Sequence, residues 1–235
     1  MLLEVKNLDA GYGFLQVLWD VSLNVETGEY IGLIGPNGAG KSTTLKSIGG
    51  LIEPISGGIT FKGEKIEGIS TSSICRKGIV YISEELNLFT QMSVSENLAM
   101  GAYTVKDKKK LSTGLDFVFD LFPRLAERRN QLSGTMSGGE RKMLALARGM
   151  MSFPSLMLVD EPSLGLSPQL AASVFKSLEV LRNEGVTILL VEQNVTKTLQ
   201  VTDRGYVLEK GKIVLEGKSS ELAQNGHVRK VFLGV

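Results

Sequence analysis

Apolar and polar positions alternate at the start of the chain. The run Leu3-Glu4-Val5-Lys6-Asn7-Leu8 and the run from Val17 to Val25 both repeat every second residue. They predict two antiparallel strands, with Gly11-Tyr12-Gly13 as the turn between them. Thr27-Gly28-Glu29 turns the chain into Ile31–Ile34, an apolar run suited to a buried strand, and a helix is predicted from about Thr43 to Gly50. Gly57–Gly63 reads as a further strand and hairpin of the antiparallel layer, and Ile79–Ile82 as a buried strand. From about Ser93 to Met151 the period becomes helical: Val94–Met100 follows a Ser cap, Leu115, Val118, Phe119 and Phe122 form one helix face, and Lys142–Met151 continues as a helix. Lys106–Lys110 is expected as a solvated turn or face, and Leu115–Leu125 as the helix that follows it. Leu156–Asp160 and Val186–Val191 are buried-strand runs, separated by a helix from Pro168 to about Arg182. Gly205–Gly217 predicts a hairpin turning at Lys210-Gly211, and a short helical tail runs to Val235.

Chemistry is concentrated where these apolar runs end. Gly35-Pro36-Asn37-Gly38-Ala39-Gly40-Lys41-Ser42 fits G-x-x-x-x-G-K-[ST], a phosphate-binding loop. Its glycines let backbone N–H groups curl around an anion, and Lys41 stands where a helix begins, so ammonium and helix N-terminus face the same phosphates. The Ser42 hydroxyl is placed to ligate Mg²⁺. A ligand-free Gly-rich turn is the plain alternative, but such turns rarely carry Lys-Ser directly after an apolar strand and the last glycine. Leu156–Val159 delivers Asp160 and Glu161 to the sheet edge, the first able to hold Mg²⁺ through its water shell and the second to accept a proton from attacking water. Glu84 and Glu85 follow another strand and read equally well as a solvated loop. Gln193 can hydrogen-bond a γ-phosphate or serve as a loop amide, and Tyr12 can stack on a flat base or pack on its own loop. Ser137-Gly138-Gly139 is either a second anion-binding helix start or an ordinary Ser cap.

Composition narrows the classes. With 26 basic and 25 acidic residues among 235, no charge excess points to nucleic acid. A single cysteine, Cys75, excludes an internal disulfide, and the lone histidine, His227, leaves no His-based triad or metal cluster. The N-terminus reads as a strand, with Glu4 where a signal peptide needs apolar residues, and no apolar run approaches a membrane span, since Glu192 closes Ile188–Val191. Any membrane role therefore has to come through a partner.

Taken in order, these elements resemble the ATP-binding subunit of ABC transporters over essentially the full length. Gly35–Ser42 resembles Walker A, with Thr43 continuing it; Ser137-Gly138-Gly139-Glu140 resembles the signature motif; Leu156–Asp160 resembles Walker B, with Glu161 as its catalytic glutamate. Tyr12 matches the aromatic that stacks on adenine. Glu84 stands where most members have a glutamine near the metal and nucleotide, Gln193 where most have a histidine, and Ser167 where an aspartate is usual. These departures are similar to the ATPases of branched-chain amino acid importers. The urea and short-chain amide importers are the nearest alternative, and a soluble ABC-type ATPase or a small-molecule kinase are more distant ones.

The resemblance implies an α/β phosphate-loop NTPase core, a mostly parallel sheet with flanking helices, carrying an antiparallel β layer and an inserted α-helical subdomain. One domain over residues 1–235 is expected, with the core and β layer at about 1–92 and 153–235 and the helical subdomain at about 93–152. It also implies ATP and Mg²⁺ as cofactors, with Lys41, Glu161 and Gln193 acting in catalysis and Ser42, Asp160 and Glu84 near the metal. The implied partners are a second ATPase chain, identical or related, then transmembrane permease subunits and, indirectly, a solute-binding protein. The implied place is the cytoplasmic face of the cell membrane, with no nucleic acid partner.

Overall fold

A computed structural model describes residues 1–233, so the end of the expected tail, Gly234 and Val235, lies outside the described residues. The antiparallel layer contains β1 (Leu3–Tyr12) and β2 (Leu15–Val25), which turn at Gly13-Phe14, slightly later than the glycine pattern predicts. Then come β3 (Tyr30–Ile34), α1 (Lys41–Ile48), β4 (Pro54–Phe61) and β5 (Glu64–Lys65). A helix that the apolar pattern did not announce, α2 (Thr71–Lys77), precedes β6 (Ile79–Ile82). Its ends are set by chemistry instead: the Ser70 side chain accepts from the Ser73 N–H, and Gly78 closes the helix at φ 101°.

The helical stretch contains α3 (Val94–Gly101), α4 (Lys108–Leu121), α5 (Pro123–Glu127) and α6 (Gly138–Met150). Two sequence expectations change here. The lysine run is the solvated face, not the turn, of its two expected forms, and its Lys108–Lys110 already belong to α4, which starts ahead of the expected Leu115 because the Asp107 carboxylate accepts from the N–H groups of Lys109 and Lys110. The helix expected to reach Leu125 breaks at Phe122, whose backbone (φ −126°, ψ 72°) takes the extended form imposed by the following Pro123. The chain continues through β7 (Leu156–Asp160), α7 (Pro168–Asn183), β8 (Thr187–Val191), α8 (Val195–Val201), β9 (Arg204–Glu209), β10 (Lys212–Lys218), α9 (Ser219–Leu222) and α10 (Gly226–Val228) to a π-helical turn, Arg229–Leu233.

One sheet is antiparallel, in the order β2-β1-β4-β5; the other runs β10-β9-β3-β8-β7-β6 and is parallel except for its β9–β10 edge. Every residue of β3, β7 and β8 is buried, as expected of parallel strands covered on both faces. The period of two divides these strands between two cores. Leu156, Leu158, Ile31 and Leu33 pack with the antiparallel sheet and with Leu45 and Ile48 of α1. Met157, Val159, Ile188 and Leu190 pack with Val94, Val118, Leu144 and Val174 from the helical side. Asp160, two residues after Leu158, therefore comes out on the α1 side of the sheet. A third, smaller core joins Ile34 and Val207 to Val195 and Leu199 of α8 and to Leu222 and Val228 of the C-terminal segment. Among the described residues no helix is long and apolar enough to cross a membrane.

Candidate functional site

The loop between β3 and α1 is shaped by what its glycines avoid. A Cβ on Gly35 would lie 2.1 Å from the Leu208 carbonyl oxygen, and one on Gly40 would lie 2.5 Å from a Leu18 methyl, at a φ of 106°. Only glycine passes between β9 and β2 at these points, so the loop curls tightly before α1 begins. Lys41, the first residue of α1, folds back into this curl: its Nζ donates to the carbonyls of Gly35 (3.0 Å) and Pro36 (3.2 Å) and lies 3.8 Å from Glu161 Oε1. Burial depresses the Lys41 ammonium, against the opposing pull of Glu161, Asp160 and Glu192.

Beside it, Ser42 Oγ donates to Asp160 Oδ1 at 3.0 Å, and the Tyr81 hydroxyl donates to Asp160 Oδ2 at 2.8 Å. Burial raises Asp160 above the usual carboxylate range; the bonds from Tyr81 and Ser42 oppose this, while the charge of Glu84 adds to it. Glu161 is likewise raised, first by burial, with Lys41 opposing and Asp160, Glu192 and Glu84 reinforcing. Its backbone takes φ 45°, and its N–H donates to the Val191 carbonyl at 2.9 Å, which fixes the end of β7 against β8.

These groups open onto a cleft of about 470 Å³ lined by Tyr12, Leu15, Val17, Asn37, Gly38, Gly40, Lys41, Ser42, Thr43, Glu84, Glu161, Leu164 and Gln193. Gly35, Pro36 and Ala39 belong to the same loop but do not line the cleft. Tyr12 is half exposed at the cleft's rim, beside the more exposed Phe14 and Leu15. Ser137, Gly138, Gly139 and Glu140 are not part of this lining. Ser137 and Gly138 are exposed at the start of α6, where Ser137 Oγ donates to Glu140 Oε2 (2.8 Å) and accepts from the Glu140 N–H (3.4 Å). Glu140 is also paired with Arg128 at 3.1 Å. The cap reading of this serine describes the single chain, and its outward-facing turn is separate from the phosphate loop.

Three residues that the motifs did not single out enter the site. Tyr81 fixes Asp160; Glu192, almost fully buried, accepts from the Ser163 N–H at 2.8 Å; Lys142 donates to the loop after β7. Only Lys142, a charge on the apolar stripe of a helix, breaks the pattern; Tyr81 and Glu192, within and just after apolar strand runs, gave no such signal. Among the described residues no group of three or more His, Cys, Asp or Glu is disposed to hold a metal ion. Ser42 and Asp160 offer two hard oxygens side by side. That donor set suits Mg²⁺, which takes its remaining ligands from phosphate and water instead of a protein cage.

Residues 18–164 match the family described as ABC transporter. The chain is 46% identical over 233 residues to the high-affinity branched-chain amino acid transport ATP-binding protein BraG of Pseudomonas aeruginosa, covering 99% of this chain and 100% of that protein. It is 37% identical over 235 residues to the probable branched-chain amino acid transport ATP-binding protein LivF of Archaeoglobus fulgidus, covering 100% of this chain and 99% of that one. The ADP conformation of MJ1267, an ATP-binding cassette of an ABC transporter, shares the fold with a TM-score of 0.86 at 25% identity, over 100% of this chain and 99% of that one. With the phosphate loop seated against two strand-end carboxylates and the family matched across it, this chain belongs to the ABC transporter family and is an ATP-hydrolysing subunit of a transporter.

Proposed function

We propose that this chain powers the import of branched-chain amino acids. The observation that carries the mechanism is the division of the site: Lys41, Ser42, Asp160 and Glu161 converge on one open cleft, while the glycine-rich start of α6 faces outward elsewhere. Two chains meeting head to tail would put ATP between the phosphate loop of one and Ser137-Gly138-Gly139 of the other. Tyr12 at the rim is suited to adenine, and the loop N–H groups with Lys41 to the β- and γ-phosphates. Mg²⁺ would be held by Ser42 and Asp160, with Glu84 near its water shell, and would neutralise triphosphate charge. Glu161, with its carboxyl raised by burial, aligns the attacking water and takes its proton, and Gln193, which lines the same cleft, hydrogen-bonds the γ-phosphate.

In this reading residues 93–152 form a helical subdomain. Permease subunits dock near Glu84–Phe89 and on that subdomain, which places the ATPase at the cytoplasmic membrane face. The solute is read from the identity to BraG and LivF. The test is reconstitution in vesicles with permease subunits, a second ATPase and a binding protein of a branched-chain amino acid importer. ATP-dependent uptake of leucine, isoleucine or valine is expected, and it should vanish in Glu161→Gln while ATP binding persists. Uptake of urea or acetamide without leucine would overturn the solute assignment; undiminished phosphate release by Glu161→Gln would overturn the role of that residue.

A further inference from the structure

Helix α6 carries a lysine where its pattern calls for an apolar residue. Lys142 lies between Gly139 and Leu146 on the inner stripe i, i+3, i+7, and is 8% exposed. An ammonium in such a place needs acceptors, and Lys142 has two. Its Nζ donates to the Glu161 carbonyl at 3.0 Å and to the Leu164 carbonyl at 2.6 Å. Neither is a carboxylate: the side chain is spent on backbone, at the two ends of a turn that also closes through the Leu164 N–H to the Glu161 carbonyl at 3.3 Å.

That turn begins at a residue under strain. Glu161 takes φ 45°, a conformation that glycine adopts freely and glutamate does not, so its neighbours must hold it there. On one side its N–H is fixed to Val191; on the other its carbonyl is fixed by Lys142. The peptide planes on both sides of the Glu161 Cα are thereby set, and with them the direction of the carboxylate toward Lys41, 3.8 Å away.

We infer that Lys142 is a positioning residue for hydrolysis: it holds the Glu161 backbone in its left-handed conformation and so aims the carboxylate into the cleft. The inference rests on the reading of Glu161 as the group that aligns water. Because Lys142 follows Ser137 by little more than one helical turn, it also ties the outward-facing start of α6 to the chain's own Glu161.

The test is steady-state ATP hydrolysis by the purified full chain, with nucleotide affinity measured separately. Lys142→Met keeps the aliphatic stem and removes the donors. Its kcat is expected to fall roughly 10- to 100-fold, the scale of a misplaced reacting group, with affinity for an ATP analogue changed less than about threefold. Lys142→Gln keeps N–H donors one bond shorter, and its kcat is expected between those of Lys142→Met and the parent. Parental kcat in Lys142→Met overturns the inference, as does an equal loss of kcat and affinity in both variants. If Lys142→Met does not fold, Lys142→Gln decides: reduced kcat at unchanged affinity supports the role, and unchanged kcat overturns it. Glu161→Gln, run alongside, separates the two readings. Its activity at the parental rate would remove the reading of Glu161 and this inference together, whereas an inactive Glu161→Gln with a fully active Lys142→Met would remove this inference alone.

Discussion

Gly35 shows how little freedom the nucleotide loop has. Its missing Cβ leaves room for a backbone oxygen of β9, an atom that cannot swing aside like a side-chain end. Gly35→Ala is therefore expected to destabilise the protein by about 1–3 kcal/mol and to displace the loop on which Lys41 closes. Thermal unfolding together with titration of a fluorescent ATP analogue measures both effects; full affinity and unchanged Tm would contradict this account. At this scale the sequence announced the residues of the loop and the two strand-end carboxylates, because a motif is a local spacing. It did not announce Tyr81, Lys142 or Glu192, whose partners Asp160, Leu164 and Ser163 lie on other elements and are brought close only by the sheet and by helix α6.

Among the elements, the segment from Glu84 to Ser93 depends on side chains for its shape. Leu86 and Asn87 both have positive φ, at 64° and 46°, and Arg148 of α6 donates to their carbonyls at 2.9 and 2.7 Å. Asn97 of α3, fully buried, accepts from the Phe89 N–H at 3.0 Å and donates to the carbonyls of Phe89 and Ser93, both at 3.0 Å. Asn97→Leu would leave the Phe89 N–H without its acceptor, while the Phe89 carbonyl keeps the Ser133 hydroxyl and the Ser93 carbonyl keeps the backbone N–H of residue 97. A loss of roughly 1–3 kcal/mol is expected, with faster amide exchange confined to residues 86–93; denaturant unfolding and hydrogen exchange test it, and protection equal to the parent would refute it. The periodic helices and buried strands were legible from hydrophobic spacing. The break at Phe122 and the start of α4 were missed because a proline's effect on its neighbour and an aspartate cap act through local sterics and hydrogen bonds, which apolar spacing does not record. Helix α2 was missed for the same reason, since only Ile74 among its residues is buried.

Across the whole molecule, Arg204 joins the main sheet to the antiparallel sheet through Asn24, and an ion pair with Glu29, the residue before β3, holds it in place. Arg204 of β9 donates to both carboxylate oxygens of Glu29, at 2.9 and 3.0 Å, and to the Asn24 carbonyl of β2 at 2.6 Å. Burial by itself would raise the Glu29 carboxyl, but hydrogen bonds from Arg204 and the Glu26 N–H, with the Arg204 charge, hold it below the usual glutamate range. A depressed folded-state value means that this stability is complete above the unfolded value, about 4.3, and is lost as pH falls through the folded one. Glu29→Gln is thus expected to cost about 1 kcal/mol at neutral pH, a difference that shrinks below about pH 4. Urea unfolding across that range measures it, and a pH-independent gap would exclude the ion pair as its source. The order of the strands along the chain was readable from spacing and the α/β class from the resemblance that the motifs carry; the neighbours of each strand in the sheet were not.

The order β10-β9-β3-β8-β7-β6 has a consequence for how the protein is made. β3, which carries the nucleotide loop, pairs in the sheet with β8 and β9, both more than 150 residues further along the chain. During synthesis the loop emerges early and stays without its flanking strands until residues beyond Glu209 have left the ribosome. Nucleotide can then act on folding only at its last stage, as a ligand that favours chains already carrying their C-terminal strands.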